Sequence, residues 1–142
     1  MLTTIASEGT FRADVINEDA RGSITLIKYN NVEIYTLSRT RRGYARGGDY
    51  HPTAQHALLL DGEADWTTKI PDGKGGYEFV TRTHEPGSDF VIAPGVPHSL
   101  EAKTDCTVLM WQEGGGFEKG IDAELRERVL ALMRGRDRGE GI

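Results

Sequence analysis

The sequence predicts an all-β domain, a barrel or a sandwich, finished by a single C-terminal helix. Three observations carry this. Eighteen glycines and five prolines are spaced between short β-branched or aromatic runs, the punctuation of turns between strands. Several runs alternate apolar and polar residues with a period of two. Helical spacing occurs only at the end of the chain. No low-complexity linker or internal repeat divides the 142 residues, which suit one domain able to bury roughly two-thirds of its unfolded surface.

Taken in order, "GSITLIKYNN" alternates Ile24 and Leu26 with polar neighbours and ends in Asn30-Asn31, a turn pair; "VEIYTLSR" resumes the alternation. "HALLLDGEADWTTKI" reads as strand, Asp61-Gly62 turn, strand, because Asp-Gly suits a type I′ hairpin turn in which both central residues need positive φ. "PDGKGG" (71–76) is a further turn, after which "YEFVTRT" returns. "EPGSD" breaks the chain, "FVIAP" is a short strand, and "HSLEA" and "CTVLMWQ" are expected to pair around Lys103-Thr104-Asp105. Ile121, Leu125, Val129 and Leu132 then fall at helical spacing, with Asp122 as N-cap and Gly135 as the stop. The barrel is expected over about 20–112 and the helix over about 121–134, the apolar stripe of the helix either capping the barrel or sealing a dimer. Gly114-Gly115-Gly116 lacks the strand-to-helix setting of a dinucleotide loop and reads as a hinge.

Twenty-two acidic against seventeen basic side chains give a net charge of −5, which argues against nucleic acid as a partner, since affinity there comes mainly from neutralising phosphates. The lone Cys106 excludes an internal disulfide framework and reads as a small buried residue. The chain has no apolar run long enough to span a membrane, and its start has neither a basic nor an apolar leader segment, so a soluble, cytoplasmic protein is expected.

Against the acidic background, Arg39, Arg41, Arg42 and Arg46 cluster just before Asp49-Tyr50-His51. In a regular strand Asp49, His51, Thr53 and Gln55 would share a face, although Pro52 interrupts the strand. Some forty residues on, His98 follows Pro94-Gly95-Val96-Pro97, a turn that pre-sets the backbone beneath the imidazole. If the two segments face each other, these side chains converge. His84 reads as a solvated loop residue, and His56, of opposite parity to Gln55, as outward-facing or packed. Trp66, Met110 and Trp111 read as core or pocket wall. The arginines either form a solvated face or meet an anion.

"GGDYHPTAQHALLLDGEA" resembles the first cupin motif: Gln55 stands where that family has Glu, His51 matches its second His, and Asp49 replaces the first. "GSDFVIAPGVPHS" resembles the second motif, with Gly87, Pro94, Gly95 and His98 at the customary intervals. The resemblance implies a double-stranded β-helix, the jelly-roll barrel, with the site in its mouth. Asp19-Ala20-Arg21-Gly22 and Arg46, Gly47 and His51 further resemble the sugar-nucleotide cupins, the 3,5-epimerases and 3,4-ketoisomerases of TDP-4-keto deoxysugars. That likeness implies an isomerase or epimerase in which His51 acts as acid or base with Asp49 and His98. Arg46, Gln55, Tyr35 and Trp111 would contact an anionic nucleotide sugar, a homodimer would form, and no cofactor would be needed. Tyr50, Tyr44 or Tyr35 would donate a proton, with parity pointing Tyr50 away. The alternative is a metal cupin, an oxygenase or ligand sensor, with Asp49, His51, Gln55 and His98 around iron, manganese, nickel or zinc.

Overall fold

The computed structural model describes residues 9–114 and 118–137; the second and third residues of the glycine triplet lie outside them. Among these residues eleven strands and one helix are formed: β1 (Phe11–Asp19), β2 (Gly22–Tyr29), β3 (Val32–Thr40), β4 (Ala45–Tyr50), β5 (Gln55–Asp61), β6 (Ala64–Pro71), β7 (Tyr77–His84), β8 (Asp89–Ile92), β9 (His98–Ala102), β10 (Cys106–Gln112), β11 (Gly120–Ile121) and α1 (Ala123–Asp137). They build two antiparallel sheets, ordered β1-β2-β3-β10-β5-β8 and β11-β4-β9-β6-β7. From β3 onward the chain repeatedly crosses from one sheet to the other, which is the jelly-roll path.

That path corrects two expected hairpins. The Asp61-Gly62 corner carries the chain from β5 in one sheet to β6 in the other, and Lys103–Asp105 likewise separates β9 from β10, so neither pair of strands is bonded. Of Asp61 and Gly62 only Gly62 has positive φ, +82°, and a Cβ there would lie 2.1 Å from the Asp105 carbonyl oxygen. Its bareness lets two corners touch rather than forming a type I′ turn. The turn with positive φ at both central residues is Asn30-Asn31, at 49° and 64°, joining β2 to β3 as expected.

The apolar core fills one half of the sandwich. Leu59, Trp66, Leu100, Cys106 and Val108 interlock there, with Phe90, Val96 and Met110 packed against them. Cys106 is a buried free thiol pushed by burial up to about 11, a packing residue and not a nucleophile. His84, expected in solvent, stacks on Phe90 at 4.1 Å and meets the edge of Trp66, closing the core beside the β7–β8 turn.

The barrel begins earlier than expected, because β1 adds an edge strand on β2. The helix starts later and runs further. Ile121 belongs to β11, paired with Asp49, and Asp122 caps the helix by accepting from the Leu125 N–H at 2.9 Å. Gly135 does not stop it, because Arg136 is bonded to the Gly43 carbonyl and pairs with Glu101 at 3.3 Å, drawing the last turn onto the barrel. Leu125 and Val129 are buried on the side that packs against β4, so the stripe caps the barrel.

Gly47 and Gly48, at φ +107° and +91°, form a bulge that shifts β4 against β9 between Gly47 and Asp49. A Cβ on Gly48 would sit 2.6 Å from the Arg126 Cα. Gly48→Ala therefore combines a disfavoured φ with a backbone clash, and should lower stability by about 2–4 kcal/mol in urea unfolding; a loss under about 1 kcal/mol would show that α1 does not rest on this bulge.

Candidate functional site

The strand connections sort the motif residues by end. The turns after β3, β5, β7 and β9 lie at one end of the sandwich; the connections leading into β5 and β9, and the one leaving β10, lie at the other. His51, Gln55 and His98 sit at this second end. Arg39, Arg41 and Arg42 sit at the first, where Arg39 and Arg41 edge a separate pocket of about 280 Å³ with Asp61 and Asp105, and the Arg42 N–H donates to Asp105 at 2.8 Å. They do not lead to the histidines; of the arginine cluster only Arg46 lines the larger cavity.

That cavity, about 580 Å³, lies between the two sheets beside α1 and is lined by Arg46, Asp49, His51, Gln55 and His98, all singled out from the sequence. The imidazoles of His51 and His98 converge, their ring centroids 5.2 Å apart. His98 Nδ1 donates to the Val96 carbonyl at 3.0 Å, which leaves the lone pair on Nε2. The Nδ1 of His51 has a partner for either tautomer: the Glu118 carbonyl, an acceptor, at 2.9 Å and the Gln112 amide nitrogen, a donor, at 2.7 Å. Neither Nε2 has a hydrogen-bond partner among the described residues. Burial, slightly relieved by the Val96 bond, holds the pKa of His98 below its ordinary value, so the ring is neutral at pH 7.

Asp49 is otherwise committed. Arg126 of α1 bonds its carboxylate and also donates Nε to the Gly47 carbonyl at 2.8 Å, while Lys119 lies 3.6 Å from the second oxygen. The four positions implied for a metal thus supply two imidazoles, one amide and a carboxylate already held by two cations. No group of three or more His, Cys, Asp or Glu among the described residues is placed to hold a metal ion, so this donor set fits a divalent ion poorly.

Arg46 is 8% exposed, yet no carboxylate of the described residues lies within ion-pair distance; Asp19, itself held by Arg21, acts on it only through space. Its Nε donates to Thr40 Oγ1 at 2.9 Å and one Nη to the Arg39 carbonyl at 3.2 Å; the other, Nη1, has no partner among the described residues. Burial, then repulsion from Arg21, pull its pKa down to about 10, and it stays charged at neutral pH. Three more buried polar atoms lack partners among the described residues: Asn17 Oδ1, Ser38 Oγ and Gln55 Oε1. All four belong to residues lining this one cavity.

Tyr35 and Trp111, expected to contact substrate, do not line the cavity. Strand parity puts them on the outer face, since Trp111 pairs with His56 while its neighbour Met110 faces inward. Trp111 stacks on His56 at 5.1 Å and meets Tyr35 edge-on at 5.9 Å. No tyrosine is among the described residues that line the cavity; Tyr50 lines the adjoining pocket, which shares His51 and Lys119 with it. Sequence reading missed Arg126, Lys119, Asn17, Ser38 and Gln112. β3 did carry a signal: Thr36, Ser38 and Thr40 alternate with Tyr35 and Leu37, and here the polar set faces inward.

No known family model and no curated protein matches the chain. Solved structures do. The fold is that of the cupins. The capsular polysaccharide assembling protein CapF from Staphylococcus aureus aligns at 18% identity and a TM-score of 0.57, over 82% of this chain and 31% of its own. A vicilin from Capsicum annuum aligns at 13% and 0.55, over 78% and 31%. The hydroxypropylphosphonic acid epoxidase of S. wedmorenis aligns at 11% and 0.54, over 69% and 53%. The chain spans about a third of the length of CapF. At these identities the likeness concerns the fold, and the cupin fold carries many functions. Among the described residues no helix is long and apolar enough to cross a membrane.

His98 predicts an acid limit to stability. With its pKa held below the ordinary 6.5, His98 takes up protons more readily in the unfolded chain. Stability should be full above pH 6.5 and fall as pH drops toward the folded-state value; His84, lowered by burial and by Arg82, adds to the slope. His98→Gln should flatten the dependence of urea midpoints between pH 6.5 and 5, and an unchanged slope would contradict the assignment.

Proposed function

We propose that the protein is an isomerase or epimerase of an anionic keto sugar, with the nucleotide-linked 4-keto deoxysugars as the class its motifs suggest. One observation carries this reading: two imidazoles with unpartnered Nε2 atoms share a cavity with every buried polar side-chain atom that lacks a partner among the described residues. Each such atom costs about 1–3 kcal/mol if it stays unpaired, and a hydroxylated ligand would satisfy them together.

The chemistry follows from the two rings. A C–H beside a ketone is acidified by the carbonyl, and a nearby base takes that proton while the C=O bond becomes a C–O⁻ enolate. His98, with Nδ1 tied to Val96, offers a bare Nε2 as the base. His51, when Gln112 donates to its Nδ1, carries its proton on Nε2 and can hand it to the enolate oxygen or carbon. With the Glu118 carbonyl as partner instead, the same ring becomes a base. Return of a proton to the opposite face of the carbon inverts it; return to the neighbouring carbon after proton transfer between the oxygens moves the ketone. Asp49, held by Arg126, is a positioning residue opposite His98 in the β4–β9 pair.

In deuterated water the protein should place deuterium at the carbons flanking the keto group of a TDP-4-keto deoxysugar, read by NMR, and His51→Ala should slow this by about 100-fold or more while TDP still binds. Ligand binding and exchange left intact in His51→Ala would overturn the reading. The metal alternative has its own readout: protein purified without added metal should hold well under one equivalent of iron, manganese, nickel or zinc. Stoichiometric metal that disappears in His98→Ala would replace acid–base chemistry with metal chemistry.

A further inference from the structure

We infer that the cavity recognises the single oxyanion attached to the sugar itself, through Arg46 and Ser38, and that a nucleoside beyond it contributes little to binding. The inference rests on the keto-sugar reading for the ligand's sugar part and goes beyond it in assigning which chemical group is read.

Two features of the site point this way. Arg46 is more than nine-tenths buried and has a partnerless Nη1, and Ser38, almost wholly buried, has a partnerless hydroxyl. Ser38 and Thr40 share the inward parity of β3, and Thr40 holds the Arg46 Nε, so the guanidinium is anchored on the strand that carries Ser38, and both Arg46 and Ser38 line the cavity. A guanidinium buried without a carboxylate is costly, and an oxyanion is the group that offsets it with charge-assisted hydrogen bonds. Because Nε and Nη2 are already bonded to protein, the fork presents one nitrogen, which suits one oxygen of a phosphate or carboxylate and not a chelated diphosphate.

The second feature is what the cavity lacks. Nucleobases are commonly held by stacking on aromatic faces. Trp66 is the sole aromatic residue, histidines aside, among the described residues that line the cavity, and it is locked in the core against Phe90 at 4.7 Å. Tyr35 and Trp111 are on the other face of the sheet. Spacing agrees: the bulge absorbs one residue of β4, so Arg46 and Asp49 lie opposite Leu100 and His98, two residue steps or roughly 7 Å apart along β9. One pyranose bearing its own oxyanion bridges a gap of that order.

The test is calorimetric titration of wild type, Arg46→Met, Arg46→Lys and Ser38→Ala with glucose 1-phosphate, TDP-glucose and glucuronate. In wild type, glucose 1-phosphate and TDP-glucose should bind within about threefold of each other, and glucuronate shows whether a carboxylate substitutes for the phosphate. Arg46→Met should weaken both phosphate ligands by the same factor, about tenfold or more, with Arg46→Lys and Ser38→Ala in between; if Arg46→Met fails to fold, these two milder variants decide. TDP-glucose binding ten times tighter than glucose 1-phosphate, variants that bind like wild type, or no binding of either phosphate ligand would each overturn the inference. Tight, Arg46-dependent binding without deuterium exchange would sink the isomerase reading and leave the oxyanion site standing.

Discussion

The pairing of β4 with β9 is the constraint on which the site depends. Asp49 stands opposite His98 only because the bulge at Gly47 and Gly48 slips the register between Gly47 and Asp49. Gly47 lets the β9 backbone approach at His98 and Ser99, and Gly48 leaves room where α1 descends, so the Arg126 backbone can rest against it while its guanidinium reaches Asp49 and the Gly47 carbonyl. Lys69 of β6 adds a second tie by pairing with the helix cap Asp122 at 3.1 Å. One local distortion thus sets the strand register, seats the helix and fixes the charge beside the histidines.

The interior is divided in consequence. Large apolar side chains fill the half around Trp66, Leu59 and Leu100. The other half is walled by β3, whose inward residues are Thr36, Ser38 and Thr40, and by the buried Arg46. Such a wall is a poor way to stabilise a sandwich, because a hydroxyl or guanidinium removed from water contributes only when it is bonded. A chain under selection for stability alone would put Leu or Val at these inward positions. That polar residues occupy them while Tyr35, Leu37 and Trp111 face outward is the pattern of a fold that gives up stability for a site.

How much was legible follows from which signals are local. The Asn30-Asn31 turn, the Asp122 cap and the two histidine motifs are readable within a few residues, and all three are as expected. The Asp61-Gly62 corner was not, because a glycine in a two-residue connection looks the same whether the strands pair or part, and the choice is made by the sheet each strand joins. β1 escaped because "FRADVINED" is an edge strand, exposed along most of its length and without a clean alternation. The arginine cluster misled by adjacency: Arg42 and Arg46 are four residues apart, but a turn separates an exposed end of the barrel from its interior. Arg126 and Lys119 were out of reach because they meet Asp49 from seventy or more residues away. Parity in β10 would have excluded Trp111, since Met110 and Gln112 on either side of it face inward.

The two histidines differ in how their protons are fixed, and the difference follows from where their partners come from. His98 gives Nδ1–H to Val96, two residues away in the Pro94–Pro97 turn, so its tautomer is set by a rigid local backbone that any ligand would leave unchanged. His51 answers to Gln112, the last residue of β10, and to Glu118, in the segment that links β10 to β11, both more than sixty residues off. That segment also carries Lys119, one of the two cations on Asp49, and it ends at Gly120, paired with Tyr50 beside His51. Both partners lie within reach of Nδ1, and the one that holds it decides whether Nε2, the nitrogen left for substrate, carries the proton. In the proposed reaction the fixed imidazole is the base, and the other ring serves as acid or base according to which partner holds its Nδ1.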